Sequence, residues 1–290
     1  MVTKIKSAAV IVAVTIIFTS CNKCDISAMF WATKPNVEER VAQSLDYNRQ
    51  HGDITISLLS DNYRFYVCGD VHNDVYPHQF DKMMRVQRND STAAFGLTIG
   101  DLVTTAGTMH IVDEVAKYNP ASDRFNTPEF FIVGNHDLFF DQWEDFMRLF
   151  GSSTYSFVVV TPHYKDLYIM LDSGSGTHGK TQLKWMCDLL KNRGNYRHCV
   201  VCTHVNLFRT DLSQVVSGGY AIEEVYELVD IMSKNNVELV LQGHDHNRKT
   251  TVLDGCTYLT LDCLKDTGKN ISYVIVDAGE RLDYHFVDVQ

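Results

Sequence analysis

The chain has 290 residues, 45% of them hydrophobic and 21% charged, which is enough apolar material for a sizeable core in one large domain or two small ones. This composition excludes a disordered chain and a disulfide-dense miniprotein. With 26 Lys plus Arg against 36 Asp plus Glu the formal charge is −10, so no broad basic field exists and general nucleic-acid binding is not expected, whereas a small phosphate ester remains open if metal ions concentrate positive charge locally.

In chain order, Lys4 and Lys6 precede an apolar run from Ala8 to Phe18, then Thr19, Ser20 and Cys21, which reads as an export signal. The run is too short for a hydrocarbon core that needs about 20 apolar residues. Phe18-Thr19-Ser20-Cys21 resembles the lipobox of bacterial lipoproteins, which implies cleavage before Cys21 and membrane anchoring through a lipid on that cysteine. The expected product is an exported lipoprotein facing the periplasm or the cell surface. The chain then divides into a signal peptide (1–20), a lipidated tether (21–35) and a folded domain with a leading helix (36–290).

Val37, Val41 and Leu45, spaced by four among polar residues, predict an amphipathic helix packed outside the core. Short β-branched or aromatic runs follow at Tyr63–Cys68, Phe95–Ile99, Phe130–Val133, Leu167–Leu171, Val200–Thr203 and Leu239–Leu241. Helical patterns at Gln182–Leu190 and Ala221–Met232 give the middle of the chain an alternating α/β character. Thr257–Leu261, Ile271–Val276 and Tyr284–Val289 predict strands without long helices between them, as in an antiparallel edge or a second sheet. Beyond Cys21, seven cysteines show no disulfide framework. Cys199 and Cys202 are three apart in a strand pattern, hence on opposite faces, and are expected to be buried thiols.

The residues after the strands carry the chemistry: Gly69-Asp70-Val71-His72, Gly100-Asp101, Gly134-Asn135-His136-Asp137, Thr203-His204 and Gly243-His244-Asp245-His246. Carboxyl ends of strands in an open α/β sheet line one crevice, where residues distant in sequence converge. Asp70 with His72, and His244 with His246, are two apart, so on extended backbone each pair shares a face and can chelate. The glycine before each cluster allows a sharp turn. Imidazole, carboxylate and amide donors without thiolate suit zinc, iron or manganese, and six or seven ligands exceed one tetrahedral ion, so a dinuclear centre is expected. Two divalent ions against the carboxylates of Asp70 and Asp101 leave a local charge of about +2, which attracts phosphate.

The order Asp-x-His, Gly-Asp, Gly-Asn-His-Asp, His, Gly-His-x-His resembles the calcineurin-like metallophosphoesterase family, over most of the chain from Tyr63 onward. The resemblance implies a four-layer α/β/β/α sandwich of two mixed sheets. It implies two divalent or trivalent transition-metal ions (Mn, Fe or Zn), one held by Asp70, His72 and His246, the other by Asn135, His204 and His244, with Asp101 bridging. His136 would be the catalytic histidine that is not a ligand, and Asp137 would fix its ring. Two ions roughly 3.5–4 Å apart would activate a bridging hydroxide for in-line attack on phosphorus. No Gly-x-Ser-x-Gly elbow supports a covalent route, and Gly174–Gly179 lacks a Walker Lys-Ser/Thr.

A small phosphoester is the expected substrate. Leu171-Asp172-Ser173 followed by Gln182-Leu183-Lys184-Trp185 resembles smaller phosphodiesterase-type members, which places a phosphodiesterase slightly ahead of a phosphomonoesterase. A non-catalytic metal-binding surface lipoprotein is the remaining alternative. His178 stands apart from the other histidines as a possible neighbour of the site, and Asn206 occupies a position where the family often has proline. The segment Asn206–Tyr220, with Arg209, is either a substrate loop or plain surface.

Overall fold

In a computed structural model, residues 35–73, 77–104, 127–209, 219–265 and 270–289 are described. The signal expected at 1–20, Cys21 and all but the last residue of the tether expected at 21–35 lie outside them, as does most of the 206–220 segment. Among the described residues no helix is long and apolar enough to cross a membrane.

The described residues form twelve strands and five α-helices, with helices interspersed among the strands only as far as β8. They are α1 (Val37–His51), β1 (Ile54–Ser57), β2 (Tyr63–Cys68), α2 (Pro77–Asn89), β3 (Ala93–Ile99), β4 (Glu129–Ile132), α3 (Trp143–Phe150), β5 (Tyr155–Val160), β6 (Lys165–Met170), α4 (Gly179–Leu190), β7 (Cys199–Cys202), α5 (Ile222–Lys234), β8 (Leu239–Gln242), β9 (Lys249–Leu253), β10 (Cys256–Thr260), β11 (Ser272–Ala278) and β12 (Leu282–Asp288). One sheet has seven strands in the order β1-β5-β6-β7-β8-β10-β9, and the other has five, β12-β11-β2-β3-β4. Both are mixed. β2, β3 and β4 are mutually parallel, as are β6, β7, β8 and β10, and antiparallel strands flank each set. The C-terminal strands therefore split: β10 joins the larger sheet parallel to β8, while β11 and β12 complete the smaller one.

Side-chain alternation along the strands produces the layers. Phe65, Phe95, Phe130, Phe157, Tyr168, Val200 and Cys202 fill the space between the sheets. Phe130 stacks on Phe157 with ring centres 4.1 Å apart. On the outer face of the smaller sheet, Tyr66 and Phe131 meet Phe80, Met83 and Met84 of α2 and Trp143 and Phe146 of α3. On the outer face of the larger sheet, Ile169, Cys199 and Val201 meet Met186 of α4 and Leu228 and Met232 of α5. The result is the four-layer α/β/β/α sandwich. Cys199 and Cys202 face opposite sides of β7 and both are buried free thiols.

α1 opens with a capping box, in which the Asn36 side chain accepts from the Glu39 amide and the Glu39 carboxylate accepts from the Asn36 amide. It lies outside the three apolar clusters but buries more than its aliphatic stripe. Arg40 is fully buried in an ion pair with Asp172, just beyond β6, at 2.8 Å.

Candidate metal centre

Each motif lies just past the carboxyl end of a parallel strand: Asp70 and His72 after β2, Asp101 after β3, Asn135 and His136 after β4, His204 after β7, and His244 and His246 after β8. The first three groups belong to the smaller sheet and the last two to the larger, so the site spans the upper edge of the sandwich.

The local backbone differs from the expected extended geometry. Asp70, His72, Asp101, His244 and His246 all have positive φ, between 48° and 72°. Five of the eight described non-glycine residues with this strained conformation are thus candidate ligands. Left-handed turns, not strand alternation, bring each Asp/His or His/His pair together. Cross-strand amides hold the turns: the Val71 and His72 amides donate to the Asp101 carbonyl at 2.9 and 3.0 Å. Only Gly100 among the preceding glycines has positive φ, at 93°. The glycines act chiefly by close approach, since a Cβ on Gly134 would fall on the Asp101 amide nitrogen and Oδ1, and one on Gly243 would come within 2.7 Å of Asp70 Oδ2.

Two clusters of ligand atoms result. Asp70, His72, Asp101 and His246 form one, and Asp101, His204 and His244 the other, with the atoms of each within 4.8 Å of one another. Asp101 belongs to both. Asn135 completes the second cluster, its Oδ1 lying 3.1 Å from His204 Nε2. Among the described residues, both ring nitrogens of His72 are buried without a hydrogen-bond partner, an arrangement that costs free energy unless something binds there. The donor set and these orphaned atoms fit a pair of borderline cations.

Surrounding contacts orient the donors. His204 Nδ1 donates to the Ile99 carbonyl at 2.9 Å, which turns Nε2 toward the centre. The His244 amide donates to Asp70 Oδ2, and the His136 amide to Asp101 Oδ1, both at 2.9 Å. Ser173 Oγ accepts from the His204 and Val205 amides. Burial disfavours the His204 imidazolium, but the adjacent Asp101 and Asp70 carboxylates outweigh it and raise its pKa to about 10. Burial lowers His72 to about 4. Burial opposes ionisation of Asp101, yet the neighbouring histidines hold it well below the usual carboxylate range.

His136 sits at the rim, half-buried, its ring centre 5.1 Å from that of His72 and its Nδ1 3.1 Å from the Thr104 carbonyl. Asp137 plays another part from the implied ring-fixing one. Its Oδ1 accepts from the Leu102 and Val103 amides and its Oδ2 from Gly134, so it ties the Asp101 loop to the Asn135 loop. Burial and the nearby Asp101 charge raise its carboxyl to about 7.

Several residues outside the motifs act on this frame. His178 is buried, stacked on Tyr220 and 3.2 Å from Thr203 Oγ1, outside both clusters. Asn206 donates from Nδ2 to Asp245 Oδ2 at 2.7 Å, a bond that proline could not make. Arg209 and Asp245 form an ion pair at 2.7 Å beside His244. His178, Asn206 and Arg209 were marked in the sequence. Asp245 was legible only as the x of Gly-His-x-His.

A model of the calcineurin-like phosphoesterase family matches residues 63–248. No curated protein sequence matches the chain. Among solved structures, the fold is similar to GAP50, the anchor in the inner membrane complex of Plasmodium, at 13% identity and a TM-score of 0.58 over 78% of this chain and 84% of that one. It is similar to a purple acid phosphatase from yellow lupin seeds, at 14% identity and TM-score 0.59, covering 78% of this chain and 52% of the other. A Staphylococcus aureus protein assigned as a 5′-nucleotidase matches at 17% identity and TM-score 0.50, with 78% and 53% covered. The chain spans about half the length of the last two, and identities this low establish a common fold.

Proposed function

The chain belongs to the calcineurin-like phosphoesterase family and is a phosphoric ester hydrolase, and from that premise we propose that it hydrolyses small phosphoesters at a dinuclear metal centre built from the two clusters. The observation that carries this reading is the pair of ligand clusters sharing Asp101. Asp70, His72 and His246 would hold one ion, Asn135, His204 and His244 the other, and Asp101 both. Such ions supply Lewis acidity toward phosphoryl oxygens and lower the pKa of water.

The side chains of this chain do the rest. Asp101 positions His136 by accepting from its backbone amide. With His136 Nδ1 bound to the Thr104 carbonyl, it is the imidazolium form that would carry a proton on Nε2 and give it to the leaving oxygen or direct it at charge developing on phosphoryl oxygen. Asp137 keeps the Asp101 and Asn135 loops in register. The finer reading is a phosphodiesterase, supported by the sequence resemblance around 171–185. Those residues serve the frame of the site: Asp172 pairs with Arg40, and Gln182 donates to the Asp172 carbonyl at 2.7 Å.

Initial rates of manganese- or zinc-supplied protein on matched chromogenic diester and monoester substrates test the reading. Faster diester cleavage supports the phosphodiesterase, and faster monoester cleavage makes the protein a phosphatase. Asp101→Asn should abolish turnover and lower bound metal below two ions per chain; full activity and metal content in that variant would refute the shared-ligand centre. The same proposal includes export and anchoring through Cys21, for which the observation is the sequence of the first 21 residues. Cys21→Ala should move the protein from the membrane to the soluble fraction, and unchanged fractionation would refute the anchor.

A further inference from the structure

Asp245 lies between the two histidines of the last motif and belongs to neither ligand cluster, yet it anchors a polar chain that ends on a candidate ligand. Gln242 Nε2 donates to Thr260 Oγ1 at 3.0 Å and to Asn206 Oδ1 at 2.8 Å. Asn206 Nδ2 donates to Asp245 Oδ2 at 2.7 Å, and Asp245 Oδ1 is paired with Arg209 Nε at 2.7 Å. Arg209 Nη1 donates to His244 Nε2 at 2.9 Å. The Arg209 side chain is only 7% exposed, its guanidinium held by the charge of Asp245 beside Nε while Nη1 faces the metal centre.

The bond from Arg209 to His244 requires a lone pair on Nε2. An ion held at Nε2 would use that lone pair. An ion held at Nδ1 would leave the ring proton of the neutral imidazole on Nε2, placing donor against donor. In either case the Nη1 hydrogen now spent on His244 is given up when the second cluster fills, while the Nε edge stays with Asp245. Resting on the dinuclear reading above, we propose that Arg209 is a catalytic residue that binds phosphate: once the cluster is filled, its Nη1 exchanges His244 for a non-bridging oxygen of the phosphoryl group at the centre. A guanidinium fixed in this way offers directional, charge-assisted donors at no further ordering cost. Asp245 and Asn206 are positioning residues that set its edge. Asn206 at the position where the family often has proline thus acquires a purpose, because its amide completes the clamp.

The test uses the full chain loaded with manganese, with bound metal counted by elemental analysis and inorganic phosphate titrated by calorimetry. Arg209→Ala should keep two metals and bind phosphate about 10- to 100-fold more weakly, the range for a lost charge-assisted hydrogen bond. Arg209→Lys should recover part of the affinity, since it restores the charge without the fork, and Asp245→Asn should fall between wild type and Arg209→Ala. Metal affinity in Arg209→Ala should equal or exceed that of wild type, because no arginine bond has to break on loading. Equal phosphate affinity in wild type and Arg209→Ala, both carrying two metals, would overturn the proposal. So would loss of a metal in Arg209→Ala, which would make Arg209 a support for His244. If Arg209→Ala fails to fold, wild-type phosphate affinity in both Arg209→Lys and Asp245→Asn overturns it. Failure of wild type to hold two metals would defeat the dinuclear reading itself, and this inference with it, a result that the metal count alone reveals.

Discussion

His136 differs from the other motif histidines in that it belongs to neither candidate ligand cluster, while its backbone is locked to the candidate ligand Asp101. Its removal should therefore leave the ions in place. His136→Ala is expected to keep two metals and to slow turnover by about 10²- to 10⁴-fold, the usual contribution of a general acid; full activity, or loss of metal, would remove that role. Glu129 gives a second test at this scale. It is buried at the start of β4, and a Cβ on Gly96 would collide with its carboxylate. Burial pushes its pKa from 4.5 to about 8, although Gln87 donates to it and Arg88 lies near. Between pH 4.5 and 8 the folded chain thus keeps a proton that the unfolded chain has lost. This group favours folding fully below pH 4.5, and its contribution falls by up to about 1.4 kcal/mol per pH unit as the pH rises through 8. Denaturant unfolding of Glu129→Gln should show a flatter pH profile over that range; a parallel profile would show that Glu129 titrates normally. The convergence of Asp70, His72, Asp101, Asn135, His204, His244 and His246 was legible because each follows a strand in a short motif. Their left-handed backbone was not, since positive φ in Asp and His reflects cross-strand amides that sequence spacing does not encode.

Among the elements, α1 shows how far periodicity reaches. Val37 and Val41 are buried as their spacing predicts, but so is Arg40, whose guanidinium meets Asp172 and donates to Ser175 Oγ at 3.0 Å. An arginine within a polar stretch reads as solvated until its partner, 132 residues away, is known. Arg40→Ala would leave Asp172 buried and uncompensated, with an expected loss of about 3–5 kcal/mol in urea unfolding, of which Arg40→Met with Asp172→Leu should recover a large part. A loss below about 1 kcal/mol would mean that water reaches Asp172. Other elements also carry periodic signals in their sequence. Phe80, Met83, Met84 and Gln87 fall on one face of α2, and Tyr155, Phe157 and Val159 alternate along β5. Ile54, Ile56 and Leu58 alternate along β1 and just past it, the last two packed on the core, whereas β9 has no such pattern, because it is an edge strand with most residues exposed and owes its form to a partner strand.

For the whole molecule, the decisive fact is that each ligand cluster draws on both sheets. Asp70 and His72 of the smaller sheet meet His246 of the larger, and Asp101 of the smaller meets His204 and His244 of the larger. Chelation should consequently lower the thermal midpoint by the mass-action stabilisation that bound ions confer. It should also speed hydrogen exchange in the loops after β2, β3, β7 and β8 more than at the opposite end, where Tyr63, Asp166, Tyr168 and Arg197 join the sheets through a polar network. Uniform acceleration at both ends would show that the ions do not fasten one edge. The fold class and the five motifs were readable in the sequence, whereas the assignment of strands to sheets was not, because β10 and β11 look alike in pattern and differ only in the partner they find. Dividing the ligands between two sheets also makes metal retention a gauge of packing far from the metal. By reciprocity, whatever free energy the ions add to the cohesion of the sheets is subtracted from ion binding when that cohesion fails. A cavity opened between Phe130 and Phe157 would then register as metal loss, and a chain starved of metal would present as a packing mutant with no altered residue in its core.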